Sequence, residues 1–262
     1  MSDNKKKKQQ DKPRDIVGSI AHGFNVIKAF DAEHSQLTLS QVAERTGMSR
    51  AGARRYLLTL VHLGYVRQHE RLFRLSPKVL ELGYAYLSSV QLSTIAQPYI
   101  ESLRDQTGET TALAVLDDIF IVHIARANSS KLIAPTLTIG RRFPAVYTST
   151  GRVLIAMKSD EEIDEIMRKS DLTPPTPLSL SSELEIRAAL SKVKRNGYAI
   201  GNQENETGIR TLAVPVSNKS GEVVAAIDVL TNIATVTAEQ LIRRFLPLLK
   251  AAATDMERML VD

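Results

Sequence analysis

Cysteine is missing from the whole of the 262-residue sequence. Disulfide bridges and zinc sites built on thiolates are therefore excluded. No apolar run approaches the roughly 20 residues that a membrane-spanning helix needs, and the first residues lack the apolar core of a signal peptide. We therefore expect a cytoplasmic protein with no membrane partner.

The common catalytic signatures are absent as well. There is no Gly-x-Ser-x-Gly elbow, P-loop or zinc signature, and the 5 histidines show no metal-ligand spacing. Ser191 and Lys194 match a Ser-x-x-Lys pair, but they lie on a predicted amphipathic helix and lack the companion motifs. His123 lies within a predicted strand, where a packed or hydrogen-bonded histidine is the favoured interpretation. The sequence predicts no enzyme, no cofactor and no metal.

The composition is that of a globular protein with a basic balance. Apolar residues make up 43% of the chain, and the formal net charge is +5. This apolar content is enough to build real cores, and the length fits one large domain or two of ordinary size. A positive charge fits a polyanionic partner without proving one.

Residues 1–14 form a polar segment that contains four consecutive lysines, Lys5 to Lys8. The segment has no apolar periodicity, so its composition favours a disordered basic tail. The alternative is a basic arm that lies along DNA phosphates or in a minor groove.

The first predicted helix begins at a Ser19 cap and ends at Phe30. Ile20, Phe24 and Ile27 recur at helical spacing and are expected to be its buried face. This helix would be the first of the three that a winged helix-turn-helix domain needs.

A short helix, a tight turn and a basic helix follow. Thr38 and Gln41 form a capping box for the short helix, which residues 46–48 then break. Ser49 can cap a second helix that runs to Gly64. One side of that helix is apolar and the other carries arginine, which binds guanine edges or phosphates when a helix enters the major groove. The candidate DNA contacts on this helix are Ser49, Arg50, Ala51, Arg54, Arg55 and Thr59.

Two short strands complete the predicted DNA-binding domain. Residues 65–68 and 72–75 are β-rich, and the polar residues 69–71 form the turn between them. Arginines of this hairpin are expected on phosphates rather than bases; they are Arg67, Arg71 and Arg74. The order predicts a winged helix-turn-helix over residues 15–76. A merely solvated basic face is the alternative, and which arginine reads bases stays open.

A predicted linker helix over residues 77–93 begins with a Ser76 cap and with Pro77 at the first helical position. Apolar residues cover so wide an arc of this helix that it is expected to pack against a second subunit as well. More helix should follow to Thr107, with a kink at Pro98 and an end at Gly108.

The remaining chain alternates between β-rich and helical patterns, and it predicts a second domain over residues 94–262. Strands are expected over residues 111–116, 119–126, 131–139, 198–202, 213–217 and 223–230. Helices are expected from Ser149 or Thr150 to Met157, from a capping box at Ser159, from a box at Ser182 to Asn196, and from a box at Thr237. Hairpins and crossovers together predict the α+β class with a mixed α/β second domain.

The segments of this chain, taken in order, resemble the IclR family of bacterial transcription regulators. The resemblance rests on residues 39–47, 57–66, 151–156, 197–199 and 208–216. A narrower group is resembled at residues 50–60, 148–154 and 202–204. That group regulates protocatechuate and para-hydroxybenzoate catabolism, the β-ketoadipate pathway.

This resemblance implies a winged-helix head, a linker helix and a GAF-like effector domain. It also implies homodimers or dimers of dimers that bind a double-stranded DNA operator in the bacterial cytoplasm, at the nucleoid. The narrower group favours an activator, with a repressor as the alternative, and contact with RNA polymerase stays open. A ligand-independent DNA-binding protein with a structural second domain is a further hypothesis.

The effector is expected at the predicted helix start near Ser149, where backbone N–H groups favour an anion and a nearby arginine could hold a carboxylate. From the residues and the resemblance, the candidate effector contacts are Arg142, Tyr147, Ser149, Thr150, Gly151, Ile209, Arg210, Thr211, Asp228 and Leu230. The expected effector is a small aromatic or dicarboxylic acid: protocatechuate, para-hydroxybenzoate or a β-ketoadipate-like compound. The alternative is that Ser149 and Thr150 only cap the helix and the arginines lie on the surface.

Two departures from the family pattern concern the same pocket. Asp228 and Leu230 stand where many members carry a small hydroxyl residue, and Gly201 stands where an acidic residue is common. We therefore expect the polar contacts of the pocket to differ from those of the family.

Overall fold

The computed structural model describes residues 16–89, 91–130 and 138–260. The chain forms two compact units that divide after Ala85. The predicted basic tail lies outside the described residues, as does most of the predicted strand 131–139; residues 138 and 139 are described and form no strand.

The first unit is a winged helix-turn-helix. Its antiparallel sheet has the strand order β1-β3-β2. The elements are α1 Gly18–Lys28, β1 Leu37–Thr38, α2 Leu39–Thr46, α3 Arg50–His62, β2 Val66–His69 and β3 Leu72–Leu75.

The predicted start and stop signals of α2 and α3 are confirmed. Both hydrogen bonds of the capping box between Thr38 and Gln41 are present. Gly47 ends α2 in the left-handed region at φ +66°, where glycine has no Cβ penalty. The Ser49 hydroxyl accepts from the amide of Gly52 and so caps α3. Local side-chain chemistry alone therefore sets the turn between the two helices.

The prediction for the first helix is wrong in two respects. The N-cap of α1 is Val17, without a side-chain hydrogen bond, so Ser19 is not the cap. Ile20 is 60% exposed and Phe24 47% exposed, while Val26 from the C-terminal half of α1 enters the core. Two apolar stripes at helical spacing compete in this sequence, and only tertiary packing decides which one is buried.

The wing leads into the segment that the sequence predicts as a linker. The hydroxyl of Ser76 accepts from the amide of Lys78 and donates to the carbonyl of Gly64. A 3-10 turn, Pro77–Val79, precedes α4, Leu80–Ser89. Large apolar residues of α4 are exposed, and its packing against a second subunit stays a prediction.

The second unit is built on a six-stranded sheet with the order β6-β5-β4-β9-β8-β7. Its described strand pairs are antiparallel. The strands are β4 Thr110–Asp117, β5 Phe120–Ala127, β6 Arg142–Pro144, β7 Ala199–Asn202, β8 Ile209–Ser217 and β9 Val223–Asn232. The helices are α5 Leu92–Thr107, α6 Ser149–Ala156, α7 Asp160–Lys169, α8 Glu183–Asn196, α9 Ala238–Gln240 and α10 Leu246–Met259, with a π-helical segment Leu241–Phe245 before α10. The predicted α+β class is confirmed.

The two faces of this sheet bury separate cores. Helices α5 and α10 cover one face, where Ile227 and Val229 of β9 pack. Helices α6 and α8 lie on the other side, and Leu230 packs into that second core. Because side chains alternate along a strand, Asp228 points to the same face as Leu230. One strand therefore carries an acidic side chain into the interior under α6.

The caps of the second unit follow prediction with two exceptions. Thr148, rather than Ser149 or Thr150, caps α6, because its hydroxyl accepts from the amide of Gly151. Ser182 caps α8, but the carboxylate of Glu185 bonds the amide of Ser181 and so does not complete a box. The boxes that begin at Ser159 and Thr237 are confirmed.

Candidate functional site

A cavity opens in the second unit between the sheet and the start of α6. It encloses about 490 Å³, including its open mouth. Its apolar lining consists of Ile121, Phe143, Ile209 and Leu230. Its polar lining includes His123, Tyr147, Thr148, Ser149, Thr150, Gln203, Glu204, Asn205, Glu206, Thr211 and Asp228. A cavity with an apolar wall and converging polar groups is typical of a small-molecule site.

The start of α6 packs closely against the turn that precedes it. A Cβ on Gly151 would lie 2.2 Å from the carbonyl oxygen of Ala145, which is backbone and cannot swing aside. The cap at Thr148 takes the amide of Gly151, which leaves the amides of Ser149 and Thr150 without an intrahelical acceptor. Two residues with free N–H donors at the positive end of a helix therefore line the cavity.

The two hydroxyls of this turn reach across to the sheet. Ser149 Oγ donates to Thr211 Oγ1 at 2.7 Å, and Thr150 Oγ1 donates to Asp228 Oδ2 at 2.7 Å. Neither side chain caps the helix, so the alternative that they serve only as caps is wrong. They tie the start of α6 to β8 and β9.

Several buried polar atoms of the cavity have no hydrogen-bond partner among the described residues. They are both ring nitrogens of His123, Oδ1 of Asp228 and the hydroxyl of Tyr147. His123 and Asp228 are each 3% exposed and Tyr147 is 1% exposed. His123 Nε2 lies 3.6 Å from Asp228 Oδ2, beyond hydrogen-bond distance. Buried polar groups are normally paired, so this cluster offers hydrogen-bonding capacity to the cavity.

Arg126 lies close to this cluster without lining the cavity. In the sheet register Arg126 is opposite Ala112, which is opposite Asp228. Burial lowers the pKa of the Arg126 guanidinium, and the negative charge of Asp228 opposes that shift. Burial likewise raises the pKa of the Tyr147 hydroxyl, with a smaller contribution from Asp171. The phenol of Tyr147 is therefore a neutral hydrogen-bond donor at physiological pH.

The loop after β7 closes one side of the cavity and is held by a buried ion pair. Arg152 Nη1 lies 2.6 Å from Glu204 Oε2, and Nη2 lies 2.9 Å from Oε1. Arg152 also donates to the carbonyl of Ile200. From the other side, Thr176 donates to the carbonyl of Gln203 at 2.7 Å. The loop that carries Glu204 is thus fastened to α6 and to the loop before α8.

The cavity contains seven of the ten predicted effector contacts. They are Tyr147, Ser149, Thr150, Ile209, Thr211, Asp228 and Leu230. Their contact with an effector stays a prediction.

The two predicted arginines do not face the cavity. Arg142 is exposed, lies 2.9 Å from Asp117 and stacks 4.4 Å above the ring of Phe120. Arg210 donates to Asn202 and to the carbonyl of Val236. Among the described residues, neither arginine nor lysine lines the cavity. Local partners hold the guanidinium of Arg142 at the surface, and contact of either arginine with an effector stays a prediction. Gly151 is also outside the lining and has a packing role.

Sequence reasoning misses several lining residues. The sequence favours a packed or hydrogen-bonded His123; the ring does pack edge-on against Phe143 at 5.7 Å, but its nitrogens are unpaired within the described structure. Its signal in the sequence is a polar residue that shares a strand face with Ile121. The loop residues 203–206 carry no local pattern that points to a cavity.

The predicted DNA contacts all lie on the surface of the first unit. The predicted contacts at the N-cap of α3 and along this helix are all exposed; they are Ser49, Arg50, Ala51, Arg54, Arg55 and Thr59. Helix α3 contains no acidic residue, and its arginines form no ion pair with any described residue. Arg45 on α2 is different, because it bonds the carbonyl of Ala29 and lies 2.6 Å from Asp31. It stabilises the domain internally.

The wing also places positive charges side by side. Arg67 and Arg74 are directly opposite each other on β2 and β3, and both are exposed. Like charges opposite each other destabilise a sheet, and a polyanion would remove that repulsion. Arg71 follows Glu70, which turns the hairpin at φ +53°.

Family models match both units. Residues 19–70 match the IclR helix-turn-helix domain, and residues 84–258 match the bacterial transcriptional regulator IclR C-terminal domain. The chain belongs to the IclR family. It is therefore a DNA-binding transcriptional regulator and not an enzyme. No helix in the described part of this IclR-family chain is long and apolar enough to cross a membrane.

Two curated relatives are similar over most of the chain. The Pca regulon regulatory protein of Pseudomonas putida is 41% identical over 243 residues, which cover 92% of this chain and 84% of the relative. The p-hydroxybenzoate hydroxylase transcriptional activator of Acinetobacter baylyi is 35% identical over 250 residues, which cover 94% and 92% of the two chains. These relatives place the chain in the narrower group that its sequence resembles.

Solved structures agree with the fold. A protein described as a transcriptional regulator from Rhodococcus sp. RHA1 has a TM-score of 0.83 and 42% identity over 94% of this chain and 98% of its own. The inducer-binding domain of the PobR transcription factor from Acinetobacter, a double mutant in complex with 3-hydroxybenzoic acid, has a TM-score of 0.61 and 30% identity. That match covers 65% of this chain and 100% of the PobR domain.

Proposed function

We propose that this regulator senses a small aromatic carboxylic acid in the cavity under α6 and, in response, activates genes for aromatic-acid catabolism. The observation that carries this proposal is an apolar cavity that meets the start of a helix. The walls contributed by Ile121, Phe143, Ile209 and Leu230 would cover an aromatic ring. The amides of Ser149 and Thr150 would receive its carboxylate.

The charges of the lining favour a monocarboxylate. Asp228, Glu204 and Glu206 line the cavity, while the described lining contains neither arginine nor lysine. Glu204 is already paired with Arg152, so the relevant charge is that of Asp228, and a β-ketoadipate-like dicarboxylate would bring a second negative charge toward it. An aromatic acid has a single carboxylate, and the amides at the start of α6 suffice to bind it. The names of the similar proteins, which refer to the pca regulon, to p-hydroxybenzoate hydroxylase and to a 3-hydroxybenzoic acid complex, support the same class.

For the winged helix-turn-helix unit, we propose that α3 enters the major groove of an operator while the β2–β3 hairpin lies on the DNA backbone. Arg50, Arg54 and Arg55 are exposed, unpaired with the described residues and free to bind bases or phosphates. Arg67 and Arg74 would lie against phosphates, which relieves their mutual repulsion.

The active form in this proposal is a cytoplasmic homodimer or dimer of dimers, because two heads on one operator double the contacts to DNA. The effector would shift the equilibrium between two arrangements of the effector domains. This shift would alter how freely the DNA-binding domains can move. Contact with RNA polymerase would complete activation.

Titration calorimetry with 4-hydroxybenzoate and protocatechuate tests the effector, and footprinting of the promoter DNA with and without each acid tests the response. We expect both acids to bind and to change DNA binding or transcription. Ile209→Trp should fill the cavity and abolish acid binding. Ile242→Trp is the matched control, because Ile242 lies outside this cavity. If neither acid binds the wild-type protein, the aromatic-acid proposal fails.

A further inference from the structure

We infer that His123 and Asp228 together bind a ring hydroxyl of the acid, so that the sensor selects hydroxylated aromatic acids over unhydroxylated ones. This inference rests on the proposed function. It assigns a specificity-determining role to two residues of the cavity lining, of which Asp228 meets the start of α6 through the hydrogen bond that it accepts from Thr150.

The sheet brings the two side chains together across an intervening strand. His123 lies on β5 opposite Ala114 of β4, and Asp228 lies on β9 opposite Ala112 of the same strand. Both alanines have short side chains, so no large side chain of β4 separates the imidazole from the carboxylate. His123 Nε2 and Asp228 Oδ2 are 3.6 Å apart.

The hydrogen-bonding capacity of the pair is largely unused. Asp228 Oδ2 accepts a hydrogen bond from Thr150, and Asp228 Oδ1 has no partner among the described residues. Both nitrogens of His123 are also unpaired within the described structure. A neutral imidazole offers one donor and one acceptor whichever tautomer is present. The pair therefore presents one strong acceptor on Asp228 beside a group that can donate.

A phenolic hydroxyl satisfies this arrangement better than the other groups of an aromatic acid. It can accept from His123 Nε2 and donate to the carboxylate of Asp228, whose Oδ2 lies 3.6 Å from that nitrogen and whose Oδ1 is unpaired within the described residues. A carboxylate at this position would be repelled by Asp228 and would offer Oδ1 no donor. A ring C–H would leave both residues unsatisfied in a buried site.

Tyr147 adds a further polar group to the cavity lining. Its hydroxyl is buried and unpaired within the described residues, and it lines the same cavity. Its phenol stays protonated, so it offers a further donor to an oxygen of the acid. The lining as a whole therefore has more hydrogen-bonding capacity than an unsubstituted ring could use.

Calorimetric titration of the full-length protein with benzoate, 3-hydroxybenzoate, 4-hydroxybenzoate and protocatechuate tests the inference. We expect at least one hydroxylated acid to bind at least about 10-fold more tightly than benzoate, because a site built for a hydroxyl rejects the analogue that lacks it. His123→Phe keeps a ring against Phe143 but removes both nitrogens. Asp228→Asn keeps an acceptor for Thr150 but removes the charge. In both variants the affinity ratio of the hydroxylated acid to benzoate should fall to near one.

The outcomes separate the two proposals. If no acid binds the wild-type protein, the proposed function fails. If benzoate binds as tightly as the hydroxylated acids, the proposed function stands and the hydroxyl-binding role is overturned. If a variant loses all acids equally while its melting temperature is unchanged, the role is also overturned. Asp255→Asn on the exposed part of α10 is the control and should leave the ratio unchanged. If His123→Phe fails to fold, the affinity ratio measured for Asp228→Asn decides whether the pair binds the hydroxyl.

Discussion

Arg152 and Glu204 form a buried two-point ion pair, with distances of 2.6 and 2.9 Å, that joins α6 to the loop closing the cavity. Both partners are buried, so the pair holds the loop only while both charges are present. The same helix presents Ser149 and Thr150 to the cavity within the turn that precedes Arg152. A ligand at the start of α6 and the loop around Glu204 are therefore linked through one rigid turn.

Loss of one partner should be far more costly than loss of an exposed ion pair. We expect Arg152→Ala to lower the free energy of unfolding by about 3–5 kcal/mol, because it leaves the carboxylate of Glu204 buried and unpaired. Chemical denaturation followed by circular dichroism measures this change. The control is Arg187→Ala, which removes partly exposed ion pairs to Glu183 and Asp164 and should cost about 0–1 kcal/mol. Equal costs for the two variants would contradict a special role for the buried pair.

A second prediction concerns the glycine at the start of α6. Gly151→Ala should destabilise the protein by about 1–3 kcal/mol or more, since the new Cβ would overlap the backbone of Ala145. Gly23→Ala is the control, because Gly23 lies in α1 and a Cβ added there would have no other atom within 4 Å. In a helix that change should stabilise by about 0.5–1 kcal/mol. Thermal unfolding of both variants gives the comparison, and a harmless Gly151→Ala would mean that α6 can move away from the turn.

What can be predicted from the sequence is mostly what short-range chemistry determines. The capping box of Thr38 and the glycine end of α2 depend on residues within one helical turn, and both are confirmed. The predicted α6 cap is misplaced by a single residue, because Thr148, Ser149 and Thr150 are all good caps and only packing selects among them.

Long-range geometry accounts for the failures. The partners of Arg142, Asp117 and Phe120, lie more than twenty residues away in sequence, and nothing local shows that the guanidinium turns from the cavity. Likewise, His123 and Asp228 are brought together only by the pairing of β5 and β9 with β4. Neither neighbourhood could be read from periodicity.

A third prediction concerns Arg142, which lies at the surface outside the cavity. Arg142→Ala should change the affinity for 4-hydroxybenzoate by less than about 2-fold, and it should cost at most about 1 kcal/mol of stability as an exposed ion pair with Asp117 is lost. Calorimetric titration of the variant measures the affinity. A large loss of acid binding with the fold intact would show that Arg142 turns into the cavity when the ligand is bound.

The last prediction separates base contacts from phosphate contacts on α3. Arg55→Ala should weaken operator binding while leaving acid binding intact, because Arg55 is exposed on the first unit and the cavity lies within the second. If Arg55 binds a guanine edge, the loss should be about 1–3 kcal/mol for the operator and should relax specificity at one position. If it binds a phosphate, affinity should fall for all sequences and the salt slope should decrease by about one.

Fluorescence anisotropy with operator and scrambled duplexes at several salt concentrations distinguishes these cases. Arg54→Ala should be measured in parallel, because its neighbouring guanidinium lies on the same exposed helix. Arg258→Ala is the charge-matched control, since Arg258 is an exposed arginine of α10 in the second unit. Operator affinity unchanged by Arg55→Ala, with the control also unchanged, would remove Arg55 from the DNA contacts and leave Arg50 and Arg54 as the candidates on α3.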